Sequence, residues 1–300
     1  MSVVVLSGGS GGAKLARGLY ELLGEQLTVV ANTGDDVEIY EAYVSPDPDL
    51  VTYWLADRID ERGWGLAGDC FGAIEMLREL GAETWFGLGD RDLALCLERR
   101  RRRGLGASAV ETHRHLARAL GVAADVLPMS EQPVRTRVRT AGRWVGLQEF
   151  MVKLRASAPI EEIELEGIEA AAPAPEVLAA IEAAEAIVIG PSNPVISIGP
   201  ILGLQGMREA LGAARAPVVA VSPIVGGAVL KGPTAACLAW AGHSADAAGI
   251  VSYYGELLDG LVSDEQVDGL PLLRCDTLMS SAAERVALAE RVLEFAAGLG

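Results

Sequence analysis

The apolar pattern of this chain switches repeatedly between two periods. Val3-Val4-Val5-Leu6 is a continuous, β-branched run, the signature of a strand buried on both faces. Ser7 to Gly12 is all glycine and serine, and from Ala13-Lys14 the pattern becomes that of an amphipathic helix. Strand, glycine turn and helix are predicted in that order. Leu27 to Ala31 reads as a second strand, ending in Asn32-Thr33-Gly34-Asp35-Asp36. Residues 65–103 read as mainly helical around a short strand at Thr84 to Leu88, and Ala107 to Leu120 continues the helical pattern. Val134 to Val145 alternates as a β-hairpin does, with Ala141-Gly142 as its turn. Ile160 to Ile168 is acidic and alternating, and Pro173 and Pro175 punctuate a linker. The rhythm then resumes: helix Glu176 to Ala184, strand Ala186 to Ile189, a loop, helix Gln205 to Gly212, strand Pro217 to Val221 and a further loop. Strands and helices alternating at this spacing predict an α/β fold, a mostly parallel sheet with helices on both faces.

Composition narrows the picture. Half of the 300 residues are hydrophobic, ample for one large core. No apolar run approaches the roughly 18 residues of a membrane span, and the N-terminus lacks a basic leader. A cytoplasmic protein without membrane contact is expected. The net charge of −16 argues against nucleic acid as a partner. Cys70, Cys96, Cys237 and Cys275 are too widely spaced for a zinc cluster. His113 and His115, two apart, do not share a helix face and are expected on an ordinary surface helix. The basic run Arg99 to Arg103 reads as a solvated helix end or, alternatively, a local anion site.

Candidate chemistry lies in the loops after the strands, where open α/β sheets bind ligands. The opening glycine turn matches neither a P-loop nor a dinucleotide fingerprint. It still directs backbone N–H groups at a helix N-terminus, which favours an anion. Side chains at Gly9 or Gly11 are expected to obstruct that approach, and Lys14 adds a point charge. The next loop carries Asp35, Asp36, Asp47, Asp49 and Asp57. Carboxylates beside a phosphate site are hard ligands for magnesium, and Asp35 and Asp49 are the candidates. Asp47 reads instead as the cap of a helix from Leu50 to Asp57. In Gly89-Asp90-Arg91-Asp92, either carboxylate can cap a helix, or the two can hold Arg91 as an anion donor. Ser192-Asn193-Pro194, Ser197, Ser222-Pro223, Gly226-Gly227 and Lys231-Gly232 present hydroxyls, amides and a second glycine-lysine loop. Two such loops around an acidic one point to a nucleotide and a metal.

Taken together, "LSGGSGGAKLARGL", "NTGDD", "SPDPDLVTYWLAD", "RGWG", "WFGLGDRDLA", "LQEFMV", "GPSNPVISIGPIL" and "SPIVGGAVLKGP" resemble the 2-phospho-L-lactate transferase family of coenzyme F-420 biosynthesis, nearly end to end. The resemblance implies a Rossmann-like core in one domain over 1–300, with 100–170 as a mixed α/β insertion, commonly a homodimer. It implies a magnesium-dependent transfer of a phosphorylated three-carbon acid (phospholactyl, phosphoenolpyruvyl or phosphoglyceryl) from its guanosine diphosphate ester to the ribityl hydroxyl of Fo, a deazaflavin, releasing GMP. By match to the family's motifs, Asp49 and Arg91 correspond to Fo-contacting, catalytic positions, and Asp35 and Asp49 to magnesium ligands. Gly8, Gly9, Ser10, Gly11, Lys14, Asn32, Ser192, Asn193, Ser222 and Lys231 would hold the nucleotide. Trp144, Gln148 and Phe150 lie near a segment able to cover the deazaflavin ring, although Trp144 and Phe150 also fit a core. Pro48 stands where many members carry leucine between the two aspartates.

Two other classes fit the residues alone. A nucleotide-sugar or NAD-linked α/β enzyme would use the same glycine turn, with Asp35-Asp36 holding a ribose. A non-enzymatic nucleotide-binding regulator would share the opening loop. Residue logic alone leaves the first open; the combination of "GDRD" with "SNPVISIGP" sets the transferase apart from the regulator.

Overall fold

The computed structural model describes residues 1–300. In chain order the first half holds β1 (Val3–Ser7), α1 (Gly9–Leu23), β2 (Leu27–Ala31), a small hairpin β3 (Val37–Ile39) and β4 (Ala42–Val44), α2 (Pro46–Leu55), α3 (Gly72–Glu79), α4 (Asp90–Gly104), α5 (Ala109–Ala119) and β5 (Asp125–Pro128). Then come β6 (Arg135–Thr140), β7 (Arg143–Gly146), β8 (Glu162–Glu166), α6 (Pro175–Ala183) and β9 (Ala186–Ile189). The last third holds α7 (Gly199–Leu202), α8 (Met207–Ala213), β10 (Val218–Val221), β11 (Ile224–Val225), β12 (Ala228–Val229), α9 (Thr234–Trp240), α10 (Ala247–Tyr254), β13 (Gly260–Ser263), β14 (Leu272–Arg274) and α11 (Ala282–Ala297). No helix is long and apolar enough to cross a membrane.

Seven strands form one parallel sheet in the order β14-β13-β10-β9-β1-β2-β5. Its α/β architecture with helices on both faces is the one the alternating pattern predicts. The continuous apolar runs follow from double burial. Val4 and Leu6 join one core with Ile187 and Ile189, while Val3 and Val5 join another with Val29 and Val188, because successive strand residues face opposite layers. From β1 the chain steps outward through β2 and β5, then returns to β1's other edge and steps outward through β9, β10, β13 and β14. The reversal falls between β1 and β9, where Leu6 pairs with Ile189. Loops after such strands diverge and leave a crevice. The glycine loop follows β1 and Ser192-Asn193 follows β9, so the topology brings the two together.

Several local readings change. Thr84 to Leu88 is not a strand. The Tyr40 hydroxyl donates to the Phe86 carbonyl at 3.1 Å and accepts from its N–H at 3.0 Å, so a side chain satisfies the backbone there. Leu88 packs with Ile39, Val44, Ile74 and Cys96 in a satellite core. Pro194–Ile198 is not an open loop but a wide helical turn running into α7, with Val195, Ile196 and Ile198 buried. Within 100–170, β5 belongs to the main sheet; the separate unit is the antiparallel sheet β7-β6-β8. Its hairpin turn is Ala141-Gly142 as predicted, both at positive φ (48° and 73°), as a two-residue primed turn requires. His113 is not on the surface: it is 2 % exposed, with Thr52 Oγ1 2.9 Å from its Nε2.

Candidate active site

Two clefts flank the crevice between β1 and β9. The first, about 570 Å³, is lined by Gly8, Gly9, Ser10, Gly11, Lys14, Ser192, Asn193, Ser222 and Lys231, among others. These are the residues expected to hold a nucleotide, Asn32 excepted, and they come from three loops spread over the whole chain. At the start of α1 the Gly8 N–H donates to Ser192 Oγ (3.2 Å) and the Gly9 N–H to Asp47 Oδ1 (2.7 Å). The next two N–H groups, of Ser10 and Gly11, have no acceptor within the protein, leaving anion-seeking donors on the cleft wall. The Lys14 ammonium is held below its usual pKa by burial and by the charges of Lys231 and Arg285. That cluster of cations is relieved by an anion.

The glycines of the turn serve a different purpose from the one expected at position 11. A Cβ there would sit 2.0 Å from the Pro191 carbonyl oxygen. Gly11 lets the loops after β1 and β9 touch, and does not face the cleft for a ligand's sake. Gly9 has open space around it but φ of +65°, a left-handed conformation that favours glycine.

Asp47 is not a helix cap. Ser45 is the N-cap residue and Pro46 opens α2, which puts Asp47 too far into the helix to cap it. Its carboxylate turns to the crevice, accepting from the Gly9 N–H and, at 2.9 Å, from Asn32 Nδ2. The same Asn32 nitrogen donates to Asp35 Oδ1 at 2.8 Å. Asn32 is fully buried and lines no cleft. It is the bracket that holds two carboxylates together, while its own Oδ1 accepts from the Gly34 N–H at 2.7 Å. Burial, then the neighbouring Asp47 charge, pushes the Asp35 carboxyl well up; burial pushes Asp47 up to about 6.

Asp49 is therefore not Asp35's neighbour in the carboxylate pair. Two residues beyond Asp47 on α2, it points away from the crevice to α4 and forms a buried ion pair with Arg99. Burial raises the Asp49 carboxyl and the Arg99 charge partly offsets this. Tyr53, one turn on, donates to Asp92, whose carboxyl burial and the Asp49 charge lift to about 6. Asp49, Asp92 and Cys96 place one ligand-type atom each within 4.8 Å of one another, with the Arg99 cation already beside Asp49.

Asp49, Tyr53 and Asp92 line the second cleft, about 520 Å³, together with Trp64, Phe86, Gln148 and others. Ser10, Asp35, Asp47, Met151 and Lys231 line both clefts. The Asp35–Asp47 pair thus stands where the two spaces meet. Gln148 Nε2 is 3.5 Å from Asp35 Oδ2. Phe150 is core, 1 % exposed, and Trp144 lies under Arg137 on the small sheet; neither lines a cleft.

Arg91 lies apart from this group. Its side chain is exposed and lines neither cleft. Neither flanking carboxylate holds it. Asp90 accepts from the N–H groups of Gly72 and Ala73, capping α3, and Asp69 accepts from the N–H groups of Arg91 and Asp92, capping α4. The first residue of α4 thus caps α3, and the loop before α3 caps α4. Of the run Arg99 to Arg103, Arg99 is buried against Asp49, while the rest forms the solvated end of α4, Arg100 pairing with Glu38 and Glu41, Arg101 and Arg102 with Glu98, and Arg103 with Glu131.

Asp47, Asp92, Arg99 and Trp64 are the cleft or support residues that sequence reasoning did not assign to the site. For Asp47 a signal exists: Ser45-Pro46 is the ordinary cap-then-proline start of a helix, so the next aspartate is free for other work. Nothing local marks Arg99 as different from the four arginines after it.

Comparison with known proteins follows the same lines. Residues 3–286 match the model of a family described as 2-phospho-L-lactate transferase CofD. A 2-phospho-L-lactate transferase of Methanosarcina mazei is 40 % identical over 97 % of this chain and 99 % of its own. A phosphoenolpyruvate transferase of Kitasatospora aureofaciens is 40 % identical over 96 % of this chain and 97 % of its own. In fold, the chain is similar to a UPF0052-family protein of Bacillus halodurans, with a TM-score of 0.64 at 17 % identity over 97 % of this chain and 98 % of that one.

Proposed function

Because the chain belongs to the 2-phospho-L-lactate transferase family, a family of transferases, we propose that it moves a phosphorylated three-carbon acid from a guanosine diphosphate ester to the ribityl hydroxyl of Fo. The hydroxyl oxygen attacks the phosphorus that carries the acid and gives up its proton to solvent. The bond from that phosphorus to the GMP phosphate breaks, GMP leaves, and a phosphodiester forms. The observation that carries this reading is the common wall of the two clefts, Ser10, Asp35, Asp47, Met151 and Lys231. Donor and acceptor bound on either side meet only there.

The donor's phosphates take the first cleft, against the unpaired N–H groups of Ser10 and Gly11 and the ammonium groups of Lys14 and Lys231. Fo takes the second. Asp49, fixed by Arg99, and Asp92 present acceptors to its hydroxyls. Arg91, outside both clefts, has no part in this reading. Magnesium fits Asp35 and Asp47: side by side and raised by burial, they form a hard-oxygen donor set whose repulsion a divalent cation relieves. When bound, the cation supplies charge neutralisation to phosphoryl oxygens. The protein's part is to orient the two reactants and hold its charges fixed, which is most of what such a transfer needs. Relatives acting on phospholactate and on phosphoenolpyruvate match at equal identity, so the acid is left as a three-carbon class. The same reading carries a homodimer and a cytoplasmic location.

The test is mass spectrometry of the product formed from Fo, magnesium and each guanylylated donor. A phosphodiester of Fo from at least one donor is expected, with one GMP released per product. No product from any of the three would overturn the reading.

A further inference from the structure

A third cavity, of about 240 Å³, shares no lining residue with either cleft. It sits outside the carboxyl ends of β2 and β5, lined by Thr33 after one strand and Ser130 after the other. That is the side of an open α/β sheet on which ligands bind. The β3–β4 hairpin, the second half of α4 and the start of α5 close it. Gln132 and Pro133 also line it and are exposed, so it opens to solvent. Its volume is that of about eight waters in the liquid, too small for a nucleotide or a fused ring.

Most of its lining is polar or charged, and the carboxylates in the wall are already engaged. Asp36 accepts from Ser45 Oγ at 2.7 Å and from Tyr43 Oη at 2.9 Å. Glu131 accepts from the N–H groups of Ala109 and Val110 and from Arg103. Glu38 pairs with Arg100. Two of the three arginines in the wall are engaged as well, Arg99 with Asp49 and Arg103 with Glu131. Arg135 forms no ion pair. Its Nη1 donates to the Val134 carbonyl at 2.8 Å and its Nη2 to Tyr43 Oη at 3.1 Å, while its Nε–H meets no acceptor. Two hydroxyls of the wall are idle too. Thr33 is 5 % and Thr112 1 % exposed, and neither Oγ1 has a partner. Buried polar groups left so are rare and costly. The capacity that remains is one-sided: a guanidinium and two hydroxyls able to donate, with every carboxylate spent.

We propose that this cavity binds a small oxyanion, phosphate or a short carboxylate, on Arg135 and the hydroxyls of Thr33 and Thr112, apart from the site of transfer. A guanidinium fork matches either anion. Tyr43 joins the cavity to the wall of the second cleft: its hydroxyl accepts from Arg135, and its carbonyl accepts at 3.0 Å from Nη1 of Arg99, the cation that fixes Asp49. The proposal stands independently of the transferase reading.

The test is location, then affinity. Crystals are soaked in selenate, found by the anomalous scattering of selenium, and separately in succinate, found by difference density. At least one of the two is expected within hydrogen-bond distance of the Arg135 guanidinium. Both absent from the cavity, or confined to the first cleft beside Ser10 and Lys14, would overturn the proposal. Inorganic phosphate and succinate are then titrated calorimetrically into Lys14→Ala/Lys231→Ala protein, which lacks the first cleft's ammonium groups, and into the same protein carrying Arg135→Gln or Thr112→Val. Melting curves show that each is folded. Arg135→Gln should weaken the preferred anion roughly ten- to a hundredfold, the scale of a lost hydrogen bond to a charged group, and Thr112→Val by a smaller factor. Tighter binding of phosphate assigns a phosphoryl ligand, and tighter binding of succinate a carboxylate. No binding of either, or unchanged affinity in a folded Arg135→Gln protein, overturns the site.

Discussion

Asp35 and Asp47 accept hydrogen bonds from one amide nitrogen, Nδ2 of Asn32, at 2.8 and 2.9 Å. They sit twelve positions apart on different sides of the β3–β4 hairpin, and only the strand end at Asn32 brings them together. Two carboxylates so close disfavour each other's ionisation, so the pair is costly to the protein unless a cation or proton joins it.

Asp35→Asn removes that repulsion while keeping an oxygen for Asn32. Without metal the variant should melt at or above the wild-type temperature. Adding magnesium with GDP should raise the wild-type melting temperature and leave the variant's unmoved, and turnover should fall at least a hundredfold. A normal magnesium-dependent shift in Asp35→Asn would remove this residue from the cation site.

Asp49 and Arg99 form a buried pair, and breaking such a pair from one side leaves a bare charge in the interior. Arg99→Met and Asp49→Leu should each cost about 3–5 kcal/mol. The double variant Asp49→Leu/Arg99→Met should recover most of that loss. Urea denaturation of the four proteins reads the coupling, and simple additivity would deny it. Asp49→Asn is consequently a poor probe of catalysis by itself, since it disturbs the fold.

The opening turn separates two kinds of glycine. Gly11→Ala drives a methyl into the Pro191 carbonyl and should lower the melting temperature by several degrees, as overpacking by even one carbon does. Gly9→Ala meets nothing and bears only a left-handed backbone, a cost of about 1 kcal/mol. Equal melting temperatures for the two would mean that the β1 and β9 loops are not in contact.

His113 is buried and neutral, with its pKa lowered to about 3 by burial and by the Arg99 charge. The unfolded chain binds its proton near pH 6.5 and the folded one does not. Stability is therefore full above that value and declines on acidification. Between pH 7.5 and 5.5 this one group should remove about 1.4 kcal/mol. Burial lifts the Asp36 carboxyl, despite the nearby Arg135 charge, to about 7; it works in the opposite sense, adding stability as pH falls. Comparing wild type with His113→Gln isolates the histidine: on acidification over the same interval the variant should gain about 1.4 kcal/mol relative to wild type. Parallel pH profiles would show that the imidazole protonates in the folded state.

Much of this architecture was legible because β strands buried on both faces leave an unbroken apolar run, as in Val3 to Leu6 and Ala186 to Ile189. The loops after them could be placed at one sheet edge from the alternation alone. What was not legible depends on contacts between distant segments. Whether Asp47 capped its own helix or reached Gly9 is decided by the position of α1. Whether Arg99 was solvent or core is decided by Asp49, fifty residues away in the chain. Thr84 to Leu88 has the composition of a strand, but no sheet edge is offered to it and Tyr40 takes its place as partner. Arg91 illustrates the reverse case: flanking carboxylates looked like its partners, yet both had backbone amides to serve or a tyrosine to meet.

The sheet order has a consequence for how the chain is made. β1 leaves the ribosome before the other strands of this sheet and soon gains β2 as a neighbour on one side. Its other side waits for residues 186–189. Until residues 186–189 have been synthesised, Val3-Val4-Val5-Leu6 presents an apolar strand with an open edge, the kind of surface on which nascent chains pair with one another. Yield in a heterologous host should therefore depend on translation rate and chaperone supply across that interval more than on the stability of the finished protein.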